Sequence, residues 1–236
     1  MADGIYVSMN GASARMAQLE SVSDNLANAQ TPGFKATRPS FEAFLAKGDA
    51  HNSSKVYPAA VSTQVDLTNG AIIQTGNPLD VVPSGRSFLA VQTADGIALT
   101  RAGHVQVEQN GGLTAAGRPL LGKDGNPILT PVGARVRLDT SGSVFANDAK
   151  IGELALFDVT GPINRIGPSL IAPHDAKSIT PSNGTLRLGE IETGNASPLE
   201  AAVQLVSAQR HFETSMQALQ TYRRLDEKAS EVGRVR

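Results

Sequence analysis

The sequence predicts a mainly β protein with an α-helix at each end: an antiparallel β body, and N- and C-terminal helices that pair as a coiled coil. Three observations predict it. Apolar residues near the N-terminus recur at alternating steps of four and three, and a similar spacing returns near the C-terminus. Between these ends, glycine-bearing turn signals punctuate short apolar runs at hairpin spacing. No helical pattern of about 10–15 residues separates those runs, which argues against a parallel βαβ sheet.

Composition narrows the function. The chain has 236 residues, 40% of them hydrophobic and 18% charged, with a net charge of −1. That balance gives no electrostatic footprint for nucleic acid or an anionic membrane. Aromatic residues make up only 4%, so the core is expected to be built from Val, Leu, Ile and Ala. The absence of Cys excludes disulfides, thiolate chemistry and Cys-ligated metal sites. Met1 is followed by Ala2-Asp3-Gly4, with neither the basic stretch nor the apolar run of a secretory leader. Nor is there a run of about 18 apolar residues such as a membrane span needs. A protein of this kind is expected to leave the cytosol, if it does so, without cleavage of a leader.

The first helix is predicted over residues 3–29, with Asp3 able to cap it. Its seam runs through Ile5, Met9, Ala12, Met16, Leu19, Ser23 and Leu26, with Arg15, Gln18, Glu20 and Asp24 off it. Thr31-Pro32-Gly33 ends it, because proline disfavours helix at the preceding residue and Pro-Gly suits a type II turn. Residues 35–64 read as a linker or transition. Phe41, Phe44 and Leu45 suggest a helical turn or two, and the polar stretch Lys47 to Ser54 an exposed loop. From 65 to 192 the β signals follow. Turns are marked by Asn69-Gly70, Gly76-Asn77-Pro78, Asp95-Gly96, Asn110-Gly111-Gly112, Asp124-Gly125, Ser141-Gly142 and Asn183-Gly184. The runs between them include 88–93, 97–100, 105–108, 135–138 and 153–159, with Val105 and Val107 alternating against Gln106 and Glu108.

Residues 193–232 return to helix, with 233–236 as a tail. Ser197-Pro198-Leu199-Glu200 places Ser at the N-cap, Pro at the first helical position and Glu at the third, a capping box with the favoured proline. Leu205, Phe212 and Leu219 then recur at seven, with Ala202, Gln209 and Met216 between them. A helix of about 30 residues, roughly 45 Å long, needs a partner along its seam. The chain thus divides into a helical unit of 1–34 with 193–236, a transition at 35–64 and a β body at 65–192.

Signatures of catalysis are missing. The phosphate-binding glycine loops, the nucleophile elbow and the helical zinc-protease motif are all absent. The four His (51, 104, 174, 211) lack ligand spacing: the residue four before His211 is Ser207 and the residue three before is Ala208. They read as surface or satisfied side chains. Asp80, Asp95 and Asp124 fall in or beside turns, where Asp caps backbone. The Asn-x-Ser/Thr sequences at Asn52, Asn183 and Asn195 are what a chain this rich in Ser, Thr and Asn carries by chance. No catalytic residue, cofactor, metal or small-molecule substrate is assigned.

Five stretches carry a family resemblance. Asn25-Leu26-Ala27-Asn28 with Thr31-Pro32-Gly33-Phe34-Lys35 resembles the N-terminal motif of the bacterial flagellar rod and hook axial proteins, and Gly4-Ile5-Tyr6-Val7-Ser8-Met9 resembles the rod members. Thr75-Gly76-Asn77-Pro78-Leu79-Asp80 and Thr100-Arg101-Ala102-Gly103 agree in the middle. So does the end, from Gly194-Asn195 through Pro198-Leu199-Glu200 to Phe212-Glu213. The pieces fall in the family's order along nearly the whole chain. One departure is Ser87, in Gly85-Arg86-Ser87-Phe88-Leu89, where the family has a second glycine; an altered turn and packing are expected there.

The resemblance implies a structural, non-enzymatic subunit of the flagellar basal-body rod, nearer the proximal than the distal type. It implies terminal helices that form an inner coiled coil, a β body projecting outward, and helical assembly with itself and other rod proteins. It also implies passage through the flagellar type III export apparatus into a rod spanning the periplasm. The assembly residues it points to are the seam positions Ile5, Met9, Met16, Leu19 and Leu26 with Leu205, Phe212, Met216 and Leu219. Asn25, Asn28, Pro32 and Gly33 would fix the junction, so Gly33→Val is expected to impair assembly more than it unfolds the β body. The reading from another class is a secreted β-rich carbohydrate-binding module or hydrolase whose helices dock on its own body.

Overall fold

In a computed structural model, which describes residues 2–45 and 56–234, the chain is mostly β with one helix near each end. Helix α1 spans Ala2–Ala27 and α2 spans Pro198–Arg234. Between them all named strand pairs for which a register is given are antiparallel. The chain divides into two compact units. One comprises residues 1–27, 37–64 and 198–236; the other comprises 28–36 and 65–197.

The second unit is the β body. Its largest sheet has six strands, in the order Ile163–Arg165, Leu170–Pro173, Gly96–Thr100, Ser87–Thr93, Leu156–Val159, Ile179–Pro181. Successive side chains on a strand face opposite ways, and the strand Ser87–Thr93 shows the consequence. Leu89 and Val91 enter a cluster with Val81, Val105, Leu113, Leu120, Val144 and Leu186. Phe88 and Ala90 enter a second cluster with Leu99, Leu121 and Ile171. Both faces of the sheet are therefore covered within the unit. Two three-stranded sheets flank the first cluster: Val136–Leu138 with Ser143–Ala146 and Ala149–Glu153, and Gln106–Val107 with Leu113–Ala115 and Arg118–Pro119. Two further pairs join distant segments: Val81–Pro83 with Leu186–Leu188, and Ile72–Gln74 with Glu190–Glu192.

Several local expectations change. The run 153–159 is two strands: Ala149–Glu153 closes one sheet, and Leu156–Val159 enters another after buried Leu154 and Ala155. Val105 is buried, but Val107 is exposed, because its strand is only two residues long and ends where the chain leaves the core. The Asn147-Asp148 turn was not anticipated. Both residues take positive φ (48° and 68°), the geometry of a type I′ hairpin, which short polar side chains tolerate.

In the other unit α1 and α2 lie side by side, and α1 also packs on strand Thr37–Leu45, which pairs with Val56–Val65. Phe41, Phe44 and Leu45 are thus in a strand rather than a helical turn. The polar stretch Lys47 to Ser54, with His51 and Asn52, lies outside the described residues. The covered stripe of α2 runs through Ala201, Leu205, Ala208, Phe212, Ser215 and Leu219, at steps of four and three. Leu205, Phe212 and Leu219 are as anticipated, but the small residues between them are one position earlier than Ala202, Gln209 and Met216. Alanine there lets a neighbouring backbone come close. On α1 the covered stripe takes Ala12, Leu19, Val22, Ser23 and Leu26, with Val22 buried and Ser23 half-buried.

Candidate functional site

Residues 28–36, which include the Pro32-Gly33 turn, belong to the β-body unit. Gly33 has φ +68°, and the Phe34 N–H donates to Thr31 O at 3.2 Å, as a type II turn with glycine at its third position requires. A Cβ on Gly33 would lie 2.1 Å from Ala102 N, so no other residue fits without moving backbone. The Gly33 N–H donates to Glu192 O at 2.8 Å, and Ser169 Oγ donates to Pro32 O at 2.8 Å. Gly33→Val therefore strikes the β body directly as well as the junction.

Two of the stretches that carry the family resemblance meet here on one buried carboxylate, through Lys35 and Arg101. Glu192 is fully buried, and the Lys35 and Arg101 side chains beside it are 3% and 2% exposed. Glu192 Oε1 accepts from Lys35 Nζ at 2.7 Å and from the Gly70 N–H at 2.9 Å. Its Oε2 accepts from Arg101 Nε at 2.8 Å and pairs with Nη2 of the same guanidinium. The cations are satisfied in turn. Lys35 Nζ donates to Thr68 O at 2.6 Å, and Arg101 Nη1 donates to Gly85 O and Ser87 O at 3.0 and 2.6 Å. Arg101 also lies over the Phe88 ring, 5.6 Å from its centroid. Burial alone would raise the Glu192 carboxyl. The hydrogen bonds from Lys35 and Gly70 and the charges of Lys35 and Arg101 outweigh it and hold the group below its ordinary value.

Asn195 closes the same region. Its Oδ1 accepts from the Ala36 N–H at 2.7 Å, its Nδ2 donates to Asp66 O at 2.9 Å and Thr68 O at 3.1 Å, and its own N–H donates to Phe34 O at 3.3 Å. The preceding Gly194 leaves no room for a Cβ, which would stand 2.6 Å from Ala29 O. Glu192 was not anticipated. Its partners lie 157 and 91 residues away in the chain, a pairing no local pattern announces. Lys35 and Arg101, in contrast, were already inside quoted motifs.

The other quoted motif organises a turn. The buried Asp80 accepts from Thr75 Oγ1 at 2.6 Å and Asn77 Nδ2 at 3.0 Å, and His104 Nδ1 lies 2.6 Å from its Oδ1. At Ser87 the chain keeps an ordinary strand. Its Oγ donates to Asp158 Oδ1 at 2.7 Å and sits 2.8 Å from Ser182 Oγ, in space left free because residue 184 is glycine.

Of the proposed assembly residues, Asn25 is the most engaged. Its Nδ2 donates to Thr37 O at 2.8 Å and its Oδ1 accepts from the Thr37 N–H at 2.9 Å, so the side chain pairs with the start of the strand as another strand would. Asn28 Oδ1 accepts from Thr31 Oγ1 at 3.4 Å beside the turn. Leu19, Leu26, Leu205 and Phe212 are half-buried and Leu219 buried, whereas Met9 and Met16 are 50% and 52% exposed and Met216 is 36% exposed. Ile5 is on α1, and its side chain lies outside the described residues. Leu199, Val203 and Val206, spaced along one face of α2, are exposed as well. Among the described residues no three His, Asp or Glu side chains gather as metal ligands. The cleft lined by Ile97, Leu121, Phe157 and Pro181 has Lys123 at its wall and no carboxylate. Among the described residues no helix is long and apolar enough to cross a membrane.

Helices with apolar residues left open and a β body with its own closed core are the parts of a structural subunit. Comparison with known proteins agrees. Residues 5–35 match the model of the flagella basal body rod protein family, and residues 187–232 match that of the flagellar basal body rod FlgEFG protein C-terminal region. The chain is 32% identical to the flagellar basal-body rod protein FlgF of Escherichia coli over 93% of both chains. It is 30% identical to FlgF of Mesorhizobium japonicum over 91% of both. Its identity to the flagellar basal-body rod protein FlgG of Buchnera aphidicola from Schizaphis graminum is 28%, over 98% of this chain and all of the relative. The chain belongs to the flagellar basal-body rod protein family, a family of structural components.

Proposed function

We propose that this chain is a non-enzymatic subunit of the proximal part of the flagellar rod, assembling helically with copies of itself and with other rod proteins. Helical assembly is heterologous, so each subunit offers different faces to its neighbours. The observation that carries this reading is the open apolar surface of the helices: Met9 and Met16 on α1, and Leu199, Val203, Val206 and Met216 on α2. In the assembled rod α1 and α2 pair as a coiled coil, and these side chains are covered by neighbouring subunits. The seam residues Ile5, Leu19, Leu26, Leu205, Phe212 and Leu219 hold the pair, and Asn25, Asn28, Pro32 and Gly33 set where α1 gives way to the body. The relatives named FlgF at 32% and 30% identity support the proximal type. The chain reaches the rod, which spans the periplasm, through the flagellar type III export apparatus.

The test is motility and basal-body imaging in a strain lacking the gene. The full chain restores rods and swimming; a chain trimmed of α1 and α2 restores neither. A strain that swims without the gene would overturn the reading.

A further inference from the structure

The chain enters and leaves the β body through segments held by one ion cluster. On the N-terminal side, the Gly33 N–H donates to the backbone of Glu192, and Lys35 pairs with its side chain. On the C-terminal side, Asn195 follows Glu192 by three residues and grips the backbone at Phe34 and Ala36. Arg101 ties Glu192 to the central sheet through Gly85 and Ser87. Every charged group in the cluster has its partners. A buried ion cluster is a poor source of net stability, because desolvation offsets most of the attraction and apolar residues of similar volume often serve as well. Its geometry is restrictive: one carboxylate accepts from three side-chain or backbone donors at fixed angles.

We propose that Lys35, Arg101 and Glu192 are positioning residues for assembly: they hold the entry and exit of the β body together in one register, at the points from which the chain runs on to α1 and α2. The proposal rests on the rod-subunit reading for its consequence, and on the body's own geometry for its mechanism. An apolar filling would leave the core folded but let residues 33–36 and 192–195 open separately from it.

Amide hydrogen exchange on the full chain tests this. In the unaltered protein the Gly33 and Ala36 amides are expected to exchange within about tenfold of Leu121 and Ala155, buried residues whose N–H groups bond to Ala90 O in the central sheet and to Leu121 O. Exchange about a thousandfold faster at Gly33 and Ala36 would overturn the proposal without any substitution. In the full chain carrying Lys35→Met, Arg101→Met and Glu192→Leu, Leu121 and Ala155 should keep their protection. Gly33 and Ala36 should exchange at least about a hundredfold faster, and the complemented strain should lose most of its swimming. Unchanged exchange at Gly33 and Ala36, or loosened exchange with normal swimming, contradicts the proposal. So does loss of protection at Leu121 and Ala155, since the cluster would then hold the whole core rather than its exits. If the strain without the gene swims, the rod reading fails, and the exchange result still decides the clamp.

Discussion

The β body and the helical unit solve the same problem differently. In the body, the strand Ser87–Thr93 is covered on both faces, and the buried charges Lys35, Arg101 and Glu192 meet one another's donors and acceptors. In the helical unit, a narrow stripe of Ala201, Leu205, Ala208 and Phe212 is covered while Met9, Met16, Val203 and Val206 stay in water. A helix of 37 residues, about 55 Å at 1.5 Å per residue, exposes more apolar surface than one partner helix of 26 residues hides. The body closes its own core, whereas the helices keep apolar residues open, which the proposed rod reading assigns to neighbouring subunits. Substitutions should therefore separate into those that unfold the body and those that leave folding alone and stop assembly.

The largest effect is expected from Glu192→Ala, which leaves two cations buried without their carboxylate and should cost the body about 3–5 kcal/mol in denaturant unfolding. Leu113→Ala, at a fully buried position of the main cluster, should cost about 2–5 kcal/mol. Gly33→Ala should follow at about 1–3 kcal/mol or more, since positive φ and the Ala102 backbone both oppose a Cβ. At the small end, Met16→Ser should change unfolding by no more than about 0.5 kcal/mol yet reduce rod assembly in a complemented strain. A large stability loss from Met16→Ser would break the contrast between the two regions.

Acid sharpens the same contrast. The Glu192 carboxyl lies below its ordinary value in the folded chain. Its contribution is therefore complete above the unfolded value of about 4.3 and is lost as pH falls through the lower folded value. Body stability should drop across that window, and the drop should be smaller in Glu192→Gln, measured by unfolding at stepped pH.

Much of this was legible locally. Asp95-Gly96 marks the hairpin between Ser87–Thr93 and Gly96–Thr100, and Ser197-Pro198 marks the start of α2 to the residue. Pro32-Gly33 announced its turn because proline and positive-φ glycine act on their own backbone. What stayed hidden was set by distant partners. Ala201 and Ala208 are on the covered stripe because of what packs against α2, not because alanine is strongly apolar. Glu192 reads as an ordinary charged residue until the fold brings Lys35 and Arg101 to it. The strand at Thr37–Leu45 was missed for the same reason, since its backbone is paired by Asn25 and by residues 56–65.

The most direct test of this division is thermal unfolding of a chain trimmed to residues 28–197, which keeps the whole β body and, of the helical unit, only residues 37–64. The trimmed chain should unfold cooperatively within a few degrees of the β-body transition of the full chain, with its near-ultraviolet circular dichroism retained. A trimmed chain with no cooperative transition would show that the body needs the helices to fold, and would contradict the account.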